Sequence, residues 1–203
     1  NPDRPRGRGR QLASPPVKER AQELGLQILQ PDSPGDPALM TALEELAPDL
    51  LVVVAFSILP QQILDLPRLG SINLHPSLLP AYRGAAPIIW AVVNGEEQTG
   101  ITTFRLNARI DAGEILLQRQ VDIGADETAG ELETRLSQQG AAMIVETIDG
   151  LEDGSISGRP QDPAGITRAP KLAKEDGSID WNLPATQVRN LIRGMNPIPG
   201  AHT

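Results

Sequence analysis

Between Leu50 and Phe56 the chain reads LLVVVAF, an apolar run of seven residues with three consecutive valines. A run this short and β-branched has the pattern of a strand covered on both faces in a parallel sheet. Before it, Val17, Ala21 and Leu24 recur at helical spacing and predict a helix over 16–26, followed by a short strand at 26–29. A second helix is predicted over 36–45, where Ala38, Leu39, Leu43 and Leu46 share a face. After the valine run come a helical turn at 60–64, a strand SINLH at 71–75, and a helix over 85–93 closed by Asn94-Gly95. Strands at 101–106 and 115–121 flank a polar turn, Asp111-Ala112-Gly113. Thr128 then opens a long amphipathic helix to about 151, with Glu131 three residues on as a capping box. Periodicity fades after Gly154, residues 155–178 read as a connection, and a last helix is predicted over 183–194. Alternating strands and helices make this an α/β chain with a mainly parallel sheet.

Composition narrows the chemistry. Its 203 residues suffice for one ordinary domain with a small second piece. No apolar run approaches the roughly 20 residues that a membrane helix needs, and no secretory leader pattern opens the chain. Cysteine is absent and there are two histidines, so thiolate and multi-histidine metal sites are not expected. Trp90 and Trp181 are expected to pack rather than to stack on a ligand. The formal charge of −8 is uneven: residues 1–20 hold six Lys/Arg against two acids, a local +4, so the rest carries −12. Within that basic start, NPDRPRGRGR spaces Arg4, Arg6, Arg8 and Arg10 with Pro and Gly, a composition that argues against helix and strand. One basic element on an acidic body suits contact with a few phosphates better than coating of nucleic acid.

The candidate chemistry sits in SINLHPSLLP. Alternation along a strand puts Asn73 and His75 on one face, and Pro76 ends the ladder just beyond. An amide that can donate to a developing oxyanion thus lies beside an imidazole that exchanges protons near neutral pH, at a strand end. Taken alone, such a histidine is as compatible with a structural role, and Asp111 is an ordinary turn residue. Ser77 lacks the G-x-S-x-G surroundings of a nucleophile elbow.

The motifs N-x-H-x-S-L-L-P, R-G-A-A-P and D-x-G, in INLHPSLLPAYRGAAPIIWAVVNGE and TGITTFRLNARIDAGEIL, resemble the folate-dependent formyltransferases. PDRPRGRGR, SPPVK, IDW at 179–181 and NPIPG at 196–200 narrow the resemblance to the methionyl-tRNA formyltransferase family. This resemblance implies a Rossmann-like, doubly wound fold, with residues 1–154 as a catalytic domain lacking its first strand, helix and strand. It makes 155–178 a linker and 179–203 the beginning of a truncated C-terminal β-barrel of OB type. It also implies formyl transfer from 10-formyltetrahydrofolate to the α-amino group of initiator methionyl-tRNA, by a monomer, in a bacterial cytoplasm or an organelle. Carried over by residue, the catalytic positions are Asn73, His75 and Asp111. Asp111 would raise the pKa of His75, and protonated His75 would share the oxyanion with Asn73. Folate contacts fall on Ser77, Leu78, Leu79, Pro80 and Ile58, and the tRNA-facing loop on Arg4, Arg6, Arg8 and Arg10, with Arg8 foremost. Metal is not implied. Open alternatives are a formyltransferase acting on a nucleotide sugar or purine precursor, a hydrolase of the same folate, and a non-catalytic folate- or RNA-binding module.

Overall fold

The Arg- and Pro-rich start, expected to avoid regular structure, contains the short strand β1 (Arg4–Arg6), and β2 (Gln11–Ala13) follows it. They pair antiparallel with Pro5 opposite Leu12. A two-stranded ladder has two edges, and at an edge the missing N–H of a proline is tolerated. The computed structural model describes residues 3–6, 11–54 and 58–203, and the backbone alone at 4–6 and 11–13. Of the four loop arginines, Arg4 and Arg6 therefore have a placed backbone, while Arg8 and Arg10 lie outside the described residues.

By its contacts the chain divides into two units, Asn1–Gly70 and Ser71–Thr203. In the first, α1 (Pro16–Glu23) begins with a proline, whose missing N–H costs nothing there. Lys18 on α1 reaches back to Asp3 at 2.8 Å, and this contact holds the Asp3 carboxyl below the usual range. No strand forms at 26–29, where the backbone is irregular. The helix α2 (Pro37–Leu46) is capped by Asp36, whose carboxylate accepts from Ala38 N at 2.9 Å. Within the apolar run, Leu51–Val53 form β3, in which Val52 is 40% exposed. An apolar run sets the preference to be buried but not what covers it. A single turn, α3 (Gln61–Leu64), follows.

The second unit carries β4 (Ser71–His75), β5 (Arg83–Gly84), α4 (Pro87–Val93), β6 (Gln98–Arg105) and β7 (Ile115–Asp122). The long helix α5 (Ala129–Glu152), β8 (Arg168–Ala169) and α6 (Ala185–Gly194) complete it. Its three main strands run β4–β6–β7, each pair antiparallel, so a mainly parallel sheet does not describe them. The reason lies in the polar turn, which sends β7 straight back along β6. Parallel pairing occurs between β5 and β8.

Helix α5 starts with the expected capping box: Glu131 N donates to the Thr128 hydroxyl at 3.3 Å and Thr128 N to the Glu131 carboxylate at 2.8 Å. Its inner face buries Leu132, Leu136 and Met143 with Ala91 and Val92 of α4 and Ile101 of β6. Each large aliphatic side chain so enclosed contributes roughly 1.5–3 kcal/mol. Thr103 on β6 meets Thr147 of α5 at 2.9 Å, so odd-numbered β6 positions point at this helix and Thr102 and Phe104 point the other way. Of the tryptophans, Trp90 donates to Pro170 O at 2.8 Å, whereas Trp181 is 64% exposed rather than packed.

Candidate active site

In β4, Asn73 lies opposite Phe104 and His75 opposite Thr102, so both point away from α5, as strand alternation requires. The Asn73 side chain is half-buried, and its carboxamide takes no hydrogen-bond partner among the described residues. His75 is 6% exposed and meets the Phe104 ring edge-on at 6.5 Å between centroids. The Tyr82 carbonyl lies 2.9 Å from Nε2, and a carbonyl only accepts, so Nε2 carries a proton.

The other ring nitrogen, Nδ1, faces Asp111 Oδ2 at 3.9 Å, across 36 positions of sequence. Burial, the largest influence, pushes the His75 pKa below its ordinary 6.5, and it outweighs the opposing effects of Asp111 and the Tyr82 carbonyl. Asp111 thus acts on His75 in the expected, raising direction, but burial outweighs it. His75 rests as the neutral Nε2–H tautomer, with Nδ1 bare toward the carboxylate.

Asp111 holds a left-handed backbone, φ 50°, which Asp adopts more readily than most residues. Its Oδ2 accepts from Gly84 N at 2.8 Å. Two glycines make this approach possible. A Cβ on Gly84 (φ 130°) would collide with the Ala169 carbonyl, and one on Gly113 with the Arg105 carbonyl. The glycines of RGAAP and of the D-x-G turn thus each pack against neighbouring backbone that leaves no room for a side chain.

The S-L-L-P segment is woven into the wall of this site. Ser77 is fully buried and donates to Ala81 O at 2.6 Å, and Leu79, 2% exposed, packs with Phe104 and Ile115. The side chains of Leu78 and Pro80 keep partial exposure. Ile58 is 77% exposed in the first unit. Behind the segment, the Thr102 hydroxyl donates to Ser77 O at 2.6 Å and accepts from Leu79 N at 3.2 Å. Gln118 Nε2 adds bonds to Leu79 O at 2.8 Å and to the Thr102 hydroxyl at 3.1 Å.

Residues outside the sequence motifs complete the frame. Tyr82, left-handed at φ 59°, receives the His75 proton on its carbonyl while its hydroxyl donates to Glu96 at 2.6 Å. The presumed connection is wired in as well: Arg159 and Ile115 exchange backbone bonds at 2.8 and 2.9 Å. Gln161 reaches Asp111 O at 2.9 Å, and Thr167 accepts from Tyr82 N at 2.8 Å. The only sequence signal for these partners is that they are polar residues in a stretch without periodicity. Among the described residues no cluster of His, Asp and Glu could hold a metal ion, and no helix is long and apolar enough to cross a membrane.

Curated relatives named methionyl-tRNA formyltransferase include one from Geobacter metallireducens, 52% identical over 203 residues, covering 100% of this chain and 65% of its own. Another, from Desulfotalea psychrophila, is 51% identical over 201 residues, covering 98% of this chain and 62% of its own. The chain thus spans a little under two thirds of these relatives' length. Among solved structures, a sugar 3N-formyl transferase, WlaRD, crystallised with dTDP and 5-N-formyl-THF, superposes with a TM-score of 0.71. It is 19% identical, over 88% of this chain and 62% of its own. HypX from Aquifex aeolicus, in complex with tetrahydrofolic acid, gives a TM-score of 0.67 at 22% identity, over 82% of this chain and 29% of its own. Such likenesses show a shared α/β, Rossmann-like fold. Residues 171–203 match the formyl transferase C-terminal domain and residues 1–148 the formyl transferase domain itself, so the chain belongs to the formyl transferase family.

Proposed function

We propose that the protein transfers the formyl group of 10-formyltetrahydrofolate to the α-amino group of methionyl-tRNA, the charged initiator of translation. The observation that carries this reading is the meeting of Asn73, His75 and Asp111, with Nδ1 and Oδ2 at 3.9 Å. The name shared by relatives near 50% identity supports the acceptor. A folate donor is supported by folates in the structures of more distant relatives, and Leu78 and Pro80 offer it apolar surface beside the strand end. The reading brings with it a monomer at work where charged tRNA is found, in the cytoplasm or an organelle. It assigns catalysis to residues 1–154 and makes 179–203 the opening of a C-terminal domain.

The chemistry follows from the resting state of the site. The neutral amine attacks the formyl carbon, and the carbonyl oxygen gains negative charge. Asn73, whose N–H groups have no partner among the described residues, donates to that oxygen. Burial disfavours the imidazolium form of His75 at rest. Its bare Nδ1 instead accepts the proton that the attacking nitrogen must lose, directly or through one water. Asp111 stabilises the imidazolium so formed while the Tyr82 carbonyl keeps the ring oriented. His75 then delivers the proton to the departing folate nitrogen as its bond to the formyl carbon breaks, which balances the transfer.

The arginines of the first twenty residues fit phosphate contact near the acceptor end of tRNA, with Arg8 foremost. The test assays the full-length protein with 10-formyltetrahydrofolate against three acceptors: methionyl-tRNA, an amino sugar nucleotide and water. Formylation of methionyl-tRNA, weakened in Arg8→Ala with folate binding unchanged, is the expected result. Preference for the sugar, or formate release without any acceptor, would overturn the reading.

A further inference from the structure

We infer that Gln161 is a positioning residue for the reacting site: its carboxamide ties the Asp111 turn to Arg83 and so sets where the Asp111 carboxylate stands. The inference rests on the formyl-transfer reading above. Gln161 lies in the aperiodic stretch after α5, 50 residues beyond Asp111, yet its amide is fully engaged there. Nε2 donates to Asp111 O at 2.9 Å and to Gly113 O at 2.7 Å, pinning both ends of the turn. Oε1 accepts from Arg83 Nη2 at 2.6 Å and from Nε at 3.1 Å.

The consequence reaches the carboxylate by two routes. Asp111 has a left-handed backbone, and a non-glycine residue in that region persists where its surroundings hold it. Gln161 supplies that hold directly, through the carbonyls on either side of Ala112. It also fixes Arg83, whose neighbour Gly84 donates its N–H to Asp111 Oδ2. Backbone and side chain of Asp111 are thus referred to one anchor, which is kept in place by the β5–β8 pairing a few residues on. The side-chain type matters: a glutamine donates to carbonyls and accepts from a guanidinium at once, whereas glutamate only accepts and lysine only donates.

Two variants of the full-length enzyme test this. Gln161→Met keeps the length and removes every bond, while Gln161→Glu keeps the acceptor for Arg83 and removes both donations to the turn. For methionyl-tRNA formylation we expect kcat to fall about tenfold or more in both, since both variants lose the two donations to the turn. The KM for 10-formyltetrahydrofolate should stay within about threefold. Because Gln161 acts through Asp111, adding Gln161→Met to Asp111→Asn should lower kcat by less than about twofold further. A kcat within twofold of wild type in folded Gln161→Glu overturns the inference. So does full multiplication of the two losses in the double variant, or failure of both single variants to fold, since each makes Gln161 structural. A wild-type enzyme that does not formylate methionyl-tRNA overturns the functional reading instead, and the inference falls with it.

Discussion

Thr102 is the hydroxyl on which the wall of the site hangs, and replacing it with valine changes shape hardly at all while removing every bond it makes. Its Oγ1 donates to Ser77 O at 2.6 Å and accepts from Leu79 N at 3.2 Å and Gln118 Nε2 at 3.1 Å. Thr102 and Ser77 are fully buried and Leu79 is 2% exposed, so solvent cannot replace what is lost. Gln118 keeps its second bond, to Leu79 O, and is not stranded. Two backbone groups remain without their partner, at about 1–3 kcal/mol each, so Thr102→Val should cost about 2–6 kcal/mol. Thr102→Ser keeps the hydroxyl and loses one methyl, about 1 kcal/mol. Urea unfolding followed by Trp90 fluorescence in a Trp181→Phe background separates the two. With a slope of about 2 kcal/mol/M, the valine variant should shift the midpoint down by about 1–3 M and the serine variant by about 0.5 M. A valine variant as stable as the serine one would refute the reasoning, because the hydroxyl would then be replaceable by packing.

Three further outcomes are expected. Asn73→Ala should reduce formyl-transfer turnover by about 100-fold or more with little change in stability, as the carboxamide has no partner among the described residues; turnover within fivefold of wild type would remove Asn73 from the oxyanion role. Because the folded His75 pKa is depressed, its unfolded form binds the proton first: its contribution to stability is complete above the ordinary 6.5 and is lost as pH falls through the depressed folded value. The wild-type urea midpoint should therefore drop more steeply below pH 6.5 than that of His75→Gln, and parallel curves would contradict neutral burial. Tyr82, the one tyrosine, has its phenol pushed up to about 12 by burial and by its bond to Glu96, so absorbance near 295 nm should stay flat through pH 11 while the protein is folded. A step near pH 10 in the folded protein would show the contact to be absent.

What the sequence determined on its own is local. Pro76 ends β4, so Asn73 and His75 must share a face at a strand end; Thr128 and Glu131 satisfy each other's backbone within one turn, so α5 starts where they stand. Such features depend on residues at most four apart, whose geometry is set by the backbone period. The reach of Asp111 to His75 was legible as resemblance, but the spacing of D-x-G from N-x-H says nothing of their separation. The tertiary structure decided it through a hairpin and two glycines that let backbones touch. It also decided the antiparallel run of β4, β6 and β7. Whether His75 rests charged or neutral, and that Gln161 from an aperiodic stretch holds the turn, likewise came from the fold. Burial and a partner 50 residues away are properties of the surroundings, and a residue's surroundings are chosen by the packing of the whole unit rather than by its neighbours in sequence.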